Sequence, residues 1–167
     1  MSRSLHPAAQ DSVGRGVQLF SPDLEATFLD RPNRFTILAA LEDGSEVRAH
    51  SPNPGRMHEL LQEGARLLLQ RSNAPGRKTP FTVVAVRRPS DLRVVPLVSV
   101  AANLLARELI LPRLFPEATA LRSEVTRGGS RFDFFVEGAD GATWVEVKSC
   151  TLEAQGVAMF PDAATER

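Results

Sequence analysis

The sequence RFDFFVEGADGATWVEVKSC, residues 131–150, predicts a β-hairpin in which charged side chains alternate with apolar ones. Alternate residues of a strand share a face. One face is therefore predicted to carry Phe132, Phe134, Val136, Val145 and Val147, and the other Arg131, Asp133, Phe135, Glu137, Trp144, Glu146 and Lys148. Charged side chains are costly to bury, so the second face needs a partner, a metal ion or water.

The register of this hairpin decides whether its charged residues meet. A two-residue loop at Asp140-Gly141 would pair residue 133 with 148, and a four-residue loop would pair 133 with 146. Both registers place Asp133, Glu146 and Lys148 on one face, whereas loops of three or five residues would set Asp133 opposite the valines. We therefore predict that two carboxylates and one ammonium group lie close together.

Two neighbouring carboxylates repel each other unless a cation neutralises them. Mg²⁺ suits such a pair because it prefers oxygen ligands and keeps several waters. We predict Asp133, Glu146 and the backbone carbonyl of Val147 as metal ligands, and Lys148 as the group that orients a water or stabilises phosphate charge. The alternative is a half-exposed hairpin with an ordinary surface ion pair.

The segment before the hairpin predicts a helix and then a strand. SVAANLLARELILP, residues 99–112, has a helical start at Ser99 and a proline stop at Pro112, and LRSEVTR, residues 121–127, is strand-like. A helix followed by three strands is the order of the PD-(D/E)xK nuclease-like core. Residues predicted on one helix face are Ala101, Leu104, Leu105 and Glu108.

Glu108, facing the sheet from the helix, and Glu124, on the first strand, are further candidate catalytic residues. Either would complete an acidic cluster with Asp133 and Glu146. Each also has an alternative role as a salt-bridge partner of a nearby arginine, namely Arg107, Arg122 or Arg131.

Residues 16–96 contain five short β-like runs separated by turn residues. The runs are GVQLFSPDLEATFL, FTILAALEDG, SEVRAH, ARLLLQRS and FTVVAVRR. MHELL, residues 57–61, predicts about one helical turn between the third and fourth runs. This order is that of a five-stranded OB-fold barrel, although an SH3-like barrel also has five short strands.

A basic stripe is predicted on the last two of these strands and their connecting loop. Residues 71–93 carry six cationic side chains against Asp91 alone. OB-folds often hold nucleic acid on such surfaces, so the candidate contacts are Arg71, Arg77, Lys78, Arg87 and Arg88. The alternative is a solvated face of a protein whose formal net charge is zero.

The composition is that of a soluble globular protein, with 43% hydrophobic and 24% charged residues among 167. The change of pattern near residue 97 predicts an α+β or α/β chain with three parts. These are a disordered tail at 1–15, an OB-like barrel at 16–96 and a nuclease-like domain at 97–167. No long apolar run is present, so we expect a cytoplasmic protein without a membrane partner.

Several motifs resemble the sugar fermentation stimulation protein family, SfsA. They are HSPNPGRMHELLQEG, LRSEVTRGGSRFDFFVE, WVEVKSCTL and MFPDAATER, which occur in that order from about residue 16 to the last residue. The resemblance implies an OB-fold domain joined to a nuclease-like domain, DNA as the partner and a regulatory role in maltose metabolism. It matches Asp133, Glu146 and Lys148 to the family's acidic and lysine positions. It also matches Asn53, Gly55, Arg56 and Met57 to its N-terminal motif, and Arg56 joins the candidate nucleic-acid contacts.

The resemblance also implies that the nuclease-like domain is incomplete here, since family members usually continue for several dozen residues past the FPDA motif. Without those elements, the strands would expose an edge and an apolar face. We therefore expect either a fragment or a homodimer in which a second copy covers the sheet.

Overall fold

The structure, a computed structural model, describes residues 16–72, 76–139 and 141–159. The tail predicted at residues 1–15 and most of the MFPDAATER motif lie outside this part of the chain. The barrel strands are β1 (Leu24–Asn33), β2 (Thr36–Ala40), β3 (Glu46–His50), β4 (Arg66–Arg71) and β5 (Phe81–Arg87), followed by β6 (Val94–Pro96). The boundaries predicted between the three parts of the chain stay a prediction.

The first five strands close into a barrel. Their order is β3-β2-β1-β4-β5, and β3 returns to pair with β5 in parallel through Ala49 and Phe81. All other neighbours in the barrel are antiparallel. This arrangement confirms the predicted five-stranded OB-type barrel, and β6 extends it beyond β5 as a strand that was not predicted.

The apolar run of β4 is buried on both sides of the strand. Leu67 and Leu69 point into the barrel core with Ile37 and Val83, all fully buried. Leu68 points the other way and packs with Val84 under Phe20 and Val98. The segments before β1 and after β6 therefore cover the outer face of β4 and β5, which explains why this strand lacks an apolar-polar alternation.

Arg31 on β1 holds the connection between β3 and β4 in place. Its guanidinium donates hydrogen bonds of 2.5–3.0 Å to the backbone carbonyl oxygens of Arg34, Asn53, Gly55 and Arg56. Hydrogen bonds from a charged donor are stronger than neutral ones. One side chain thus fixes the conformation of the whole SPNPGR segment.

A single helical turn follows that segment, as predicted for MHELL. The amide of Leu61 donates to the carbonyl of Met57 at 2.9 Å, and that of Leu60 donates to the same oxygen at 3.0 Å. Met57 begins the turn with φ +50° and is buried in the barrel core. The turn therefore closes one side of the core without forming a longer helix.

The second region contains a three-stranded antiparallel sheet in the order β7 (Ala118–Arg127), β8 (Ser130–Gly138) and β9 (Gly141–Val145). One face packs on the preceding helical segment, where Phe134 meets Ala106 and Leu111. Leu121, Val145 and Val147 pack against this cluster. A small hairpin of β10 (Glu153–Ala154) and β11 (Val157–Ala158) follows.

The opposite face of this sheet is aromatic. The Trp144 ring lies 4.7 Å from that of Phe135 and 5.3 Å from that of Phe132. Strict alternation predicted Phe132 on the other face with Phe134. Ser123 pairs with Phe134 and Val125 with Phe132, but Glu124 and Asp133 between them are not paired. Glu124 has φ +53°, which is not an extended conformation. The alternation of side chains between the two faces of the sheet is therefore broken at this point.

The helical segment does not stop at Pro112, so that prediction was wrong. It consists of α1 (Ser99–Leu105), a π-helical turn (Ala106–Ile110) and α2 (Leu111–Leu114). The buried residues Ala101, Ala106 and Leu111 are five apart, which is the hydrogen-bond spacing of a π-turn. Pro112 lies in the first turn of α2, where its missing N–H is tolerated.

No helix in the described ranges is long and apolar enough to cross a membrane.

Ion pairs form part of the contact between the barrel and the second region. Arg88, which follows β5 and is only 15% exposed, forms ion pairs with Asp91 and with Glu153 of β10. These bonds to Arg88 hold the pKa of both carboxyl groups below their ordinary values of 3.8 and 4.5. Both carboxylates therefore stay charged well below neutral pH.

This network predicts a defined pH dependence of stability. A carboxyl group whose pKa is lowered by folding stabilises the folded state fully above its ordinary pKa, and this contribution is lost as the pH falls through the lowered value. We expect the stability difference between the wild type and Glu153→Gln in urea unfolding to be constant from neutral pH to about pH 5. It should shrink steadily below the ordinary value of 4.5. The exposed Glu63→Gln is the matched control, and a difference that grows in acid would contradict the role of the ion pair.

Candidate metal centre

Asp133 on β8 is the fixed point of the acidic site. Its Oδ1 accepts a hydrogen bond of 2.9 Å from the Asn103 side-chain amide, and its Oδ2 accepts one of 2.7 Å from the backbone N–H of Val147. Partial burial alone would raise the pKa of Asp133, but these two bonds and the charges of Lys148 and Arg131 outweigh it and lower the pKa. The carboxylate is therefore ionised at neutral pH and fixed in orientation.

The bond from Val147 also ends the neighbouring strand. The sequence predicted a strand to Cys150, but β9 ends at Val145 because the Asp133 side chain, rather than the backbone of β8, accepts the N–H of Val147. Phe134 pairs with Val145, and this register continued by one residue sets Asp133 opposite Glu146. This is one of the two predicted registers, reached with residues 139 and 140 between Gly138 and Gly141.

Glu146 and Lys148 lie beside Asp133 and form an ion pair with each other. Their side chains are 44% and 55% exposed, so both groups reach solvent. The hydrogen bond to Glu146 raises the pKa of Lys148, with further contributions from the charges of Glu146 and Asp133. The three predicted residues thus meet at one place, where the single ammonium group offsets one of the two carboxylate charges.

An open cavity of about 240 Å³ lies over Asp133 and Glu146, between the start of α1 and the segment after β9. Asp133 and Glu146 line it together with Asn103 and two serines, Ser99 and Ser149. Carboxylate, amide and hydroxyl oxygens are hard donors of the kind that Mg²⁺ and Ca²⁺ select. The chemistry of these residues therefore fits a hydrated divalent cation. Val147 contributes its N–H to Asp133, and the role of its carbonyl as a ligand stays a prediction.

The other two candidate acids lie outside this cavity. Glu108 is on the π-turn, 44% exposed and 3.8 Å from Arg107, so it does not face the sheet as the α-helical pattern predicted. Glu124 is next to Asp133 in the sheet, but its carboxylate lies 3.8 Å from Arg131, the alternative weighed from the sequence. Among the residues described, no three Asp, Glu, His or Cys side chains are grouped closely enough to hold an ion.

Asn103 is the residue that sequence reasoning missed. Asn103 lies in α1 and belongs to none of the sequence motifs, and an asparagine within a helix does not by itself predict a functional role. The π-turn and the packing of Ala101 and Ala106 bring it over the end of β8, where it bonds to Asp133. Only the three-dimensional arrangement identifies it as part of the site.

The predicted basic stripe is divided between two ends of the barrel. Arg71 pairs with Phe81 at one end of the β4–β5 ladder, and Arg87 pairs with Arg66 at the other. Arg87 forms a salt bridge of 2.8 Å with Glu25, and Arg88 has the acidic partners described above. Arg71, Arg77 and Lys78 are exposed, and their charged groups form no salt bridge with a carboxylate of the described residues, although Asp23 Oδ2 accepts the backbone N–H of Arg71 at 2.6 Å.

These features define a class: a protein in which an OB-type barrel precedes an α/β region with a pair of carboxylates and a lysine at one spot. Two family models match the chain. The SfsA N-terminal OB domain matches residues 29–95, and the sugar fermentation stimulation protein RE domain matches residues 99–167. The chain belongs to the SfsA family, as the motifs indicated.

Curated relatives carry the name sugar fermentation stimulation protein homolog. The relative from Desulfitobacterium hafniense DCB-2 is 42% identical over 144 residues, which are 86% of this chain and 61% of that protein. The relative from Thermotoga petrophila is 42% identical over 145 residues, 87% of this chain and 61% of its own length. The chain thus spans about three fifths of these relatives.

A solved structure has the same fold. It is described as Pyrococcus furiosus SfsA in complex with Ca²⁺ and aligns with a TM-score of 0.67 at 24% identity. The alignment covers 90% of this chain and 65% of the other.

Proposed function

We propose that the protein binds DNA and that Asp133 and Glu146 together hold a divalent cation such as Mg²⁺ beside it. The observation that carries the proposal is the meeting of Asp133 and Glu146 at one open cavity, with Asp133 fixed by Asn103 and Val147 and with Lys148 paired to Glu146. The description of Pyrococcus furiosus SfsA as a complex with Ca²⁺ supports a divalent ion for this family.

A bound cation would neutralise the two carboxylates and draw phosphate oxygens to the site. The chain's own residues set the conditions for it. Asn103 and the N–H of Val147 hold the Asp133 carboxylate in one orientation, and Glu146 is free to turn from Lys148 toward an ion because it is exposed. Lys148 then has an unpaired charge to offer to a phosphate group.

Cleavage of phosphodiester bonds is the second candidate function. The observation that favours it is the ammonium group of Lys148 next to paired carboxylates, since such a cation stabilises charge that develops on a phosphate. Binding alone does not require this arrangement. The two functions share the site and differ in whether the DNA strand is cut.

The exposed cations at one end of the barrel are proposed as phosphate contacts. Arg77 is anchored by hydrogen bonds to Ser72 and Thr82 of 3.0 and 3.4 Å, and Arg71 lies over the Phe81 ring, with its Cζ atom 5.2 Å from the ring centroid. Lys78 adds a third charge nearby in the chain. Contacts of this kind position DNA without reading its sequence.

We also propose that the protein regulates sugar metabolism, because the family is named for the stimulation of sugar fermentation. Regulation of maltose metabolism is the narrower form of this proposal. A cytoplasmic location and a homodimer that covers the second sheet remain predictions made from the sequence. Neither prediction is needed for the proposed DNA contacts or for the proposed cation site, which are argued from the positions of individual side chains.

DNA binding is tested by titrating a labelled duplex at two salt concentrations in the presence of chelator. Three phosphate contacts predict a slope of log K against log salt of about −2 to −3, and Lys78→Gln should reduce its magnitude by about 1. The exposed Arg113→Gln, on α2, is the matched control and should leave the slope unchanged. Affinity that does not depend on salt, or a Lys78→Gln slope equal to that of the wild type, would contradict these phosphate contacts.

A further inference from the structure

A groove of about 550 Å³ lies between the β1–β2 connection and the β3–β4 connection, away from the acidic site. Its lining includes Arg31, Arg34, Arg56 and His58, with Asp30 as its acidic residue and Leu61 among its apolar ones. Neither the acidic site nor the cations of the β4–β5 loop use these residues. The groove is therefore a second, independent feature of the barrel.

The charge of this groove is positive. Three guanidinium groups face one carboxylate, and the hydrogen bonds of Arg31 all go to uncharged carbonyl oxygens. Burial lowers the pKa of Arg31, and none of its hydrogen bonds goes to a carboxylate. Arg34 and Arg56 are exposed, and within the described part of the chain no carboxylate lies within 4.0 Å of either guanidinium. An anionic ligand would complement these three charges.

An exposed aromatic ring stands at the tip of the β1–β2 connection, next to Arg34. Phe35 is 48% exposed, and its backbone is held on both sides. Its N–H donates to Asn33 Oδ1 at 2.9 Å, and its carbonyl oxygen accepts from the N–H of Ser51 at 2.9 Å. The Arg34 guanidinium lies 5.1 Å from the ring centroid. A half-exposed ring with a fixed backbone and a cation lying over it has the form of a stacking platform, on which a flat ligand would take the place of the Arg34 guanidinium or use the other side of the ring.

We infer that this groove, together with the Phe35 ring that follows its lining residue Arg34, binds an unpaired, single-stranded stretch of nucleic acid, with phosphates at Arg34 and Arg56 and a base stacked on Phe35. The combination of a cationic groove with an exposed aromatic is how single strands are held without sequence preference. A duplex keeps its bases stacked on one another, so it offers Phe35 no base face. The inference rests on the proposed DNA binding and adds to it the strandedness of the ligand and the place where it binds.

Preorganisation of the groove supports this assignment. Arg31 fixes the carbonyls of Asn53, Gly55 and Arg56, so the backbone on one side of the groove is set before any ligand arrives. The Asn33 and Ser51 bonds fix the other side. A ligand therefore orders only the side chains of Arg34 and Arg56, which keeps the entropic cost of binding low.

The test measures fluorescence anisotropy of a labelled oligodeoxythymidine of about 12 nucleotides, within the usual site size of an OB-fold, and of a duplex of equal length. The full chain is compared with Phe35→Leu, Arg56→Gln and the control Arg113→Gln. Thermal unfolding of each variant confirms that it is folded. Phe35→Leu should weaken single-strand binding by about tenfold and leave duplex binding unchanged, because only an unpaired base stacks. Arg56→Gln should weaken single-strand binding and reduce its salt dependence.

The groove assignment would be overturned if Phe35→Leu and Arg56→Gln bound the single strand as tightly as the wild type. If Lys78→Gln bound it more weakly in the same experiment, the proposed DNA binding would remain intact. A wild-type chain that binds neither oligonucleotide would overturn both. The inference would also be overturned, in favour of an acidic peptide as the ligand, by two results together. Polyglutamate would bind the wild type and bind Arg56→Gln more weakly, and Phe35→Leu would bind the oligonucleotide as well as the wild type does.

Discussion

Asp133→Asn is expected to lower cleavage of DNA in Mg²⁺ by on the order of 100-fold or more, since changes to groups that only support a metal ligand already cost 10- to 100-fold. The substitution removes a carboxylate charge from the cavity while keeping the size of the side chain. Asn103 can rotate its amide to accept from the new side chain, so the fold should survive. DNA binding in chelator should be unaffected, because the phosphate contacts that we propose lie on the barrel. The measurement is the rate of strand cleavage with and without Mg²⁺.

Asp43→Asn is the matched control, since it removes the same charge from an exposed turn, where the Oδ1 of Asp43 accepts the N–H of Ser45. It should cleave at the wild-type rate. If Asp133→Asn also retained that rate, Asp133 would not be a catalytic residue. If the wild type bound DNA without cutting it under any divalent ion, the second candidate function would fail, and the binding function would stand.

Phe134→Ala is expected to destabilise the second region by about 3–5 kcal/mol, the usual cost of removing a buried phenylalanine ring. Phe134 is 2% exposed and joins β8 to the helical segment through Ala106 and Leu111. Its loss leaves a cavity directly beneath the strand that carries Asp133. Urea unfolding followed by the fluorescence of Trp144 measures the effect, because Trp144 is the single tryptophan of the sequence and lies in this region.

Phe35→Ala makes the same chemical change at an exposed ring on the barrel. It should change the free energy of unfolding, as reported by Trp144 fluorescence, by no more than about 0.5 kcal/mol, as surface substitutions usually do. Similar effects of the two substitutions would mean that Phe134 does not organise the second region. A loss of Mg²⁺-dependent activity in Phe134→Ala that exceeds its loss of folded protein would show that the packing also aligns Asp133.

The barrel was predictable because its strands are short and are separated by clear turn residues. Asp43 and Gly44 mark the β2–β3 turn, and Gly44 has φ +81°, which glycine adopts readily. The strand β6 escaped prediction because three residues carry no period. The helix end at Pro112 was wrong because the pattern was analysed with a 3.6-residue period, whereas the π-turn spaces the buried residues Ala101, Ala106 and Leu111 by five.

The meeting of Asp133, Glu146 and Lys148 was predictable from the alternation and register of one hairpin. Its details were not, because a side chain replaced a backbone acceptor: Asp133 takes the N–H of Val147 and ends β9 early. Charge pairing was equally hidden. The six cations of residues 71–93 form one stripe in the sequence, but Arg87 and Arg88 are neutralised by Glu25, Asp91 and Glu153, which are distant in the chain or lie in a turn.

We propose above all that Asp133 and Glu146 share one divalent cation. The most direct measurement is a crystal structure of the chain grown with Ca²⁺. We expect an ion with oxygen atoms of both carboxylates at about 2.3–2.6 Å, and Glu146 turned away from Lys148. An ion bound elsewhere, or Glu146 still paired with Lys148 at saturating Ca²⁺, would contradict it.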